Sequence, residues 1–302
     1  MSRETLGLFV GFIGVCIFAG TLPFTRIAVQ ELDPWFVTAG RASLSGLIAG
    51  AVLILLRKRL PDRSTLKKSA LTSICVVGIF PAFTALAMQS VAASHGGVVL
   101  GVLPLATAAV SVWLNGERPG AGFWLAALAG AALVVVFALR EGGGTFALGD
   151  VLLIGAVLSA AVGYNISGQL TRHFSGWEVI SWVLVVALPV TVPATLWLAP
   201  RQPETVAWQS WAAFAYVTLM SQYLGFFAWN AGLALGGVAR VSQVQLLQTF
   251  VTLMIAAALN RESVGWVTWA GAIAIVALVL ASRRAAIRGT AAKTLASGEK
   301  RI

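Results

Sequence analysis

The chain has 302 residues, 58% of them apolar and only 11% charged, with a mean hydropathy of +0.87; a soluble protein carries about a quarter charged residues. One core stops growing near roughly 250–300 residues, so a soluble globule of this size cannot hide that much apolar surface, and the solvent is lipid. The formal charge of +10 gathers in clusters between apolar stretches, with no basic stripe interleaved with aromatics, which argues against a nucleic-acid partner.

From the N-terminus, Arg3 precedes an apolar run of about 20 residues, the length that crosses a bilayer. It resembles a signal peptide, but no small-x-small cleavage pattern ends it, so it reads as a first span. Further stretches of that length follow, giving spans at 6–29, 35–56, 70–91, 95–114, 120–139, 149–170, 178–199, 207–232, 238–259 and 264–282. Polar separators divide them, among them Glu31 to Pro34, Arg57 to Lys68, Asn115 to Pro119, Arg140 to Gly144 and Asn260 to Ser263. Nothing alternates with the two-residue period of a barrel strand. The expected fold is an all-α membrane protein of ten transmembrane helices. Cys16 and Cys75 lie inside apolar stretches and read as small buried hydrophobes rather than a disulfide or metal pair.

With ten spans both termini share a side. Arg3, the cluster from Arg57 to Lys68, Arg118, Arg172, Arg240 and the tail cations from Arg283 to Arg301 fall there; Arg26, Arg140, Arg201 and Arg261 fall opposite. The positive-inside rule then places both termini in the cytoplasm of a multi-pass protein of the bacterial inner membrane. Residues 285–302 form a basic tail expected to be poorly ordered.

A shift of 145 residues aligns the halves. Leu114-Asn115 meets Leu259-Asn260, Glu117 meets Glu262, Gly120 meets Gly265, Trp124 meets Trp269 and Asp33 meets Glu178. The expected division is residues 1–144 as a first five-helix repeat and 145–284 as a second. An odd number of spans per half inverts the second repeat. Inverted repeats are a recurring plan of secondary transporters, with a substrate site near mid-membrane.

Five-plus-five spans, Pro104-Leu105 in the fourth span, the stretch Leu114-Asn115-Gly116-Glu117-Arg118-Pro119 and Gly40-Arg41-Ala42-Ser43-Leu44 together resemble the EamA family of the drug/metabolite transporter superfamily. The second half departs from the pattern, with Arg261 for the glycine, Ser263-Val264 for Arg-Pro and Thr249 where Pro104 stands. The resemblance implies a ten-helix basket with a central cavity lined by spans one, three, four, six, eight and nine. It also implies export of small metabolites, many of them amino acids and their relatives.

A charge inside the hydrocarbon layer costs about 3 kcal/mol or more and needs an explanation. All eleven acids read as loop or helix-end residues, so the chain lacks the embedded carboxylate that a cationic-drug pump uses. Arg41, about six residues and roughly 9 Å into the second span, reads as a structural post, with a carboxylate anchor or a snorkelling cation as alternatives. His95 opens the fourth span. Its preferred reading is an interfacial polar cap; because histidine changes charge near physiological pH, it is also the candidate proton carrier.

In the eighth span Tyr216, Tyr223, Phe227 and Asn230 recur at seven-, four- and three-residue steps, predicting one helical face. In the ninth, Gln245, Gln248 and Thr252 share a face. Amides and hydroxyls beside rings suit a zwitterionic or neutral solute; inter-helix hydrogen bonding is the competing account. The predicted substrate-binding residues are Tyr164, Asn165, Tyr223, Trp229, Gln245 and Gln248, with Gln89 and His95 opposite. Tryptophans near span ends read as an interfacial belt, and Trp182 as packing.

No phosphate loop, His-x-x-x-His pair or Gly-x-Ser-x-Gly motif occurs, so neither ATP use nor an intramembrane enzyme is supported and no cofactor is expected. The reading is a secondary exporter of an amino acid or derivative, acting as monomer or homodimer on a small-molecule substrate in a lipid bilayer. The alternative is an exporter or importer of a drug, nucleobase or sugar.

Overall fold

The computed structural model describes residues 3–115, 121–141, 147–171, 173–236 and 244–281. The stretch Gly116 to Gly120, Arg172, Arg240 and the tail 285–302 lie outside these residues. Every regular element among the described residues is helical. Six helices are long and apolar enough to cross a bilayer: Thr5–Ala28, Pro34–Leu55, Arg63–Ala87, Ala93–Leu114, Leu148–Leu170 and Gly176–Leu198. Shorter apolar helices run over Leu128–Phe137, Gln248–Asn260 and Trp266–Ala281.

The long helices are subdivided where the sequence interrupts backbone bonding. The first span breaks at Gly20 into α1 (Arg3–Ala19) and α2 (Thr21–Ala28). Pro23, which lacks an N–H, falls in the first turn of α2, where none is required. α3 (Pro34–Leu55) opens with Pro34 at its first position and Asp33 as N-cap, accepting from the amides of Trp35 and Phe36 at 2.8 and 3.1 Å. α4 (Arg63–Thr72) continues through a π-helical segment, Ser73–Ile79, into α5 (Phe80–Ala87). The separator expected at 57–68 therefore ends at Asp62. Its carboxylate caps the Ser64 amide at 3.1 Å and draws Lys67 and Lys68 into the helix.

The fourth span divides at Gly101 into α6 (Ala93–Leu100) and α7 (Leu103–Asn115), with Pro104 in the first turn after the break. α8 (Ala121–Glu141), α9 (Leu148–Leu170) and α10 (Gly176–Leu198) follow. α11 (Trp208–Ala215) passes through a second π-helical segment, Tyr216–Leu224, into α12 (Gly225–Gly236). α13 (Gln248–Asn260) and α14 (Trp266–Ala281) complete the bundle.

Association of helices in lipid depends on close packing rather than on escape from water. α1 lies against α12 at glycines: a Cβ on Gly232 would stand 2.5 Å from the Gly11 amide nitrogen, and one on Gly14 2.8 Å from that of Trp229. α3 packs along α10, where a buried cluster joins Ala42, Ala49, Val183, Leu184 and Tyr223. The main buried cluster gathers Leu22, Phe36, Met88, Val98, Leu153, Leu253 and Ile275 from both halves of the chain. Outward, Ile54, Leu55 and Val190 are exposed, as lipid-facing residues must be, and Trp113, Trp197, Trp208 and Trp266 are exposed near helix ends. Trp182 is buried.

Candidate functional site

Several helix ends converge and are tied there by ionised groups. Arg26, at the end of α2, donates to the carbonyls of Met88 and Val91 after α5, and its Nε lies 3.4 Å from Glu262 in the α13–α14 connection. Glu262 in turn accepts from the Ala93 and Ser94 amides at 2.8 and 2.9 Å, the orphan donors at the start of α6. Burial pushes the Glu262 carboxyl up, but the bonds from Ser94, Ala93 and Asn260 outweigh it and hold it below the ordinary range. Beside this knot Arg26, Val29, Gln30, Met88 and Gln89 line a cleft of about 220 Å³. Glu31, after α2, receives the Ala207 amide and the Ser210 hydroxyl at 2.8 Å each.

His95 belongs to the same end. Its Nε2 lies 2.7 Å from Asp150 Oδ1, and its ring stacks on Phe137 with centroids 4.9 Å apart. The other Asp150 oxygen accepts the Ala147 amide at 3.0 Å, so the carboxylate also closes the first turn of α9. Asp150 is a helix-end acid, as the sequence indicates, yet it is only 3% exposed. Its pairing with His95 has no sequence signal. At other helix ends Lys58 pairs with Glu178, which caps the Ser175 amide ahead of α10, and sits over the Trp177 ring.

The predicted binding residues stand on several seams. Gln89 is exposed in the turn after α5, at the cleft beside Arg26. Tyr164 is half-buried against the Leu103, Val157, Ala160 and Ala161 cluster between α7 and α9. Asn165 donates to the Thr107 and Ala161 carbonyls, both at 2.9 Å, bridging those two helices. Tyr223 is buried, with its hydroxyl 2.9 Å from Ser181 of α10 and its ring edge-on to Phe227. Trp229 is half-buried where α12 crosses Gly14, and Gln248 is half-buried as the first residue of α13. The Gln245 side chain lies outside the described residues.

The single face expected for Tyr216, Tyr223, Phe227 and Asn230 is not formed. Tyr216 turns to the first span, stacking on Phe24 at 3.9 Å and donating to the Ile17 carbonyl, whereas Tyr223 turns to α10. The π-helical bonding between them adds residues to each turn, so a seven-residue step no longer closes two turns. Phe227 keeps to the α10 side with Tyr223, edge-on to Trp177, and Asn230 lies against Gly176.

Arg41 does not snorkel. It is 2% exposed, and its Nη2 lies 3.3 Å from the Ser221 hydroxyl in the second π-helical segment. Ser221 in turn shares a hydrogen bond of 2.7 Å with Thr21 of α2. Arg41 Nε and Thr25 Oγ1, one turn beyond Thr21, are buried without partners among the described residues. Sequence singles out Arg41 as the cation within a span; its hydroxyl neighbours come from helices distant in the chain.

The EamA-like transporter family model matches residues 5–139 and again residues 147–283. The chain belongs to the EamA-like transporter family. An EamA-like protein of this kind is a membrane transporter of small solutes, and lipid and solute are its partners. The chain is 42% identical over 284 residues to the uncharacterized transporter YdeK of Bacillus subtilis (strain 168), covering 94% of this chain and 99% of that protein. It is 22% identical over 278 residues to the uncharacterized transporter YcxC of the same organism, covering 86% of each. A solved crystal structure with 19% identity shares the fold at a TM-score of 0.62, covering 94% of this chain and 99% of that one.

Proposed function

We propose that this EamA-like protein is a secondary transporter of the bacterial inner membrane that exports an amino acid or close derivative by alternating access. In this reading residues 1–144 and 145–284 are two inverted five-span repeats of a ten-span bundle, 285–302 is a cytoplasmic tail, and both termini face the cytoplasm. The observation that carries it is the double family match, 5–139 and 147–283, within one chain.

Packing supports the same duplication. The π-helical segments Ser73–Ile79 and Tyr216–Leu224 overlap under the 145-residue shift that aligns the halves. α1 packs on α12 as their counterparts under that shift, α9 and α5, pack on each other, while α3 packs on α10, its own counterpart. Two similar halves inverted across the bilayer can exchange conformations, opening one end as the other closes. The tied end around Arg26, Glu262, His95 and Asp150 is then the periplasmic end, drawn shut.

The path runs between the halves, with Tyr164, Asn165, Tyr223, Trp229, Gln245 and Gln248 on one side and Gln89 and His95 on the other. Uncharged amides and rings there suit a zwitterion carrying an apolar group. Transport is uncoupled or coupled to protons, with His95 as the carrier in the second case.

Counterflow in proteoliposomes tests the proposal. External radiolabelled amino acid is expected to enter faster when unlabelled amino acid is trapped inside. Equal leakage with and without protein would overturn the amino-acid reading, and influx indifferent to internal solute would mark an open pore. A growth-toxicity panel then separates drug, nucleobase and sugar, since overexpression protects against the true cargo.

A further inference from the structure

The geometry points to Arg41, with Ser221 and Thr21, as the anchor for the carboxylate of the transported solute. This assignment rests on the export reading above and deepens it, since it names the part of the cargo that is held.

Charge accounting leads there. A guanidinium inside a bundle is normally matched by a carboxylate or by several carbonyls, because an uncompensated buried charge is costly. Arg41 is 2% exposed, and its hydrogen-bond partner among the described residues is the neutral Ser221 hydroxyl at 3.3 Å. The acids that reach the bundle interior are engaged elsewhere: Asp150 by His95, Glu262 by Arg26, Glu178 by Lys58. No internal anion among the described residues balances Arg41.

The donor set is also incomplete in a directed way. Guanidinium offers five N–H groups in a planar fork that matches the two oxygens of a carboxylate. Among the described residues Arg41 Nε has no partner, and neither does Thr25 Oγ1, one turn along α2 from Thr21. A post holding helices together would have its donors bonded to carbonyls, as Arg26 does at Met88 and Val91. The Ser221 hydroxyl already shared with Thr21 at 2.7 Å links the fork to the first span. Ser221 also belongs to a π-helical segment, a geometry that recurs at functional sites. Three elements thus present hydroxyls and an unmatched cation to one point: α2, α3 and Tyr216–Leu224.

The test uses the full-length purified protein, with thermal unfolding followed at constant ionic strength. Sodium acetate and L-alanine are expected to protect it saturably, whereas sodium chloride and acetamide at the same concentrations are not. Arg41→Gln is expected to lower the apparent acetate affinity on the order of tenfold or more, and Arg41→Lys, which keeps the charge without the fork, to fall between. Protection by chloride equal to that by acetate would overturn the carboxylate assignment, as would undiminished protection in Arg41→Gln. Should Arg41→Gln fail to fold, the acetate–acetamide–chloride contrast on the unmodified protein and Arg41→Lys still decides. Counterflow separates the two layers. Amino acids and their decarboxylated amines carried alike would sink the anchor and leave transport standing; acetate protection without amino-acid counterflow would do the reverse.

Discussion

Glu262 is a loop carboxylate shared by three chain segments: it pairs with Arg26 and accepts the amides that open α6. Its carboxyl is held below the ordinary range, so its contribution is complete above the unfolded value of about 4.3 and is lost as pH falls through the lower folded value. Glu262→Gln is expected to cost about 1–2 kcal/mol near neutral pH. It should also flatten the acid limb of stability, which thermal unfolding between pH 7 and 3 would reveal; an unchanged limb would remove Glu262 from the account. His95 and Asp150 form the second tie. Replacing either alone leaves the other's buried polar atom without this partner, at about 2–3 kcal/mol. A double-mutant cycle with His95→Phe and Asp150→Leu should give a coupling of about 1 kcal/mol or more. Sequence marked both residues as polar groups at helix ends; their pairing, 55 positions apart, required the fold.

Helix existence was legible because a 20-residue apolar run in lipid has few ways other than a helix to satisfy its backbone. Boundaries were nearly so, except at Arg63, where the Asp62 cap carries the third helix into its basic flank. The π-helical segments were not legible, since nothing in Ser73–Ile79 or Tyr216–Leu224 distinguishes i→i+5 from i→i+4 bonding. That is why the tyrosine face inferred from seven-residue spacing separated. Glycines sort by what faces them. Gly232 meets the Gly11 backbone, whereas Gly168 on α9 meets nothing within 4 Å among the described residues. Gly232→Ala is therefore expected to force α1 from α12 and cost about 1–3 kcal/mol. Gly168→Ala should be neutral or gain up to about 1 kcal/mol from helix propensity. Equal melting temperatures for the two variants would argue against the close α1–α12 approach.

At the scale of the molecule, the tied helix ends give the proposed orientation a direct test. Single cysteines at Gln202 and at Arg59, in a background where Cys16 and Cys75 are replaced by Ala, should react oppositely with a membrane-impermeant maleimide. Gln202 is expected to label from outside intact cells and Arg59 only after the membrane is opened; the reverse pattern would invert the topology. Composition and run length by themselves determined the solvent and the helical class, because lipid admits so few backbone arrangements that apolar length alone selects among them; the family resemblance came from short motifs such as Gly40-Arg41-Ala42-Ser43-Leu44 and Leu114 to Pro119. Tertiary structure decided which polar groups meet. A hydroxyl, amide or ion at a given position carries no record of its partner until helices far apart in the chain are packed side by side. So Asn165 proved to bridge α7 and α9, Tyr223 to bond Ser181, and Arg41 to stand inside the bundle without a counter-ion among the described residues.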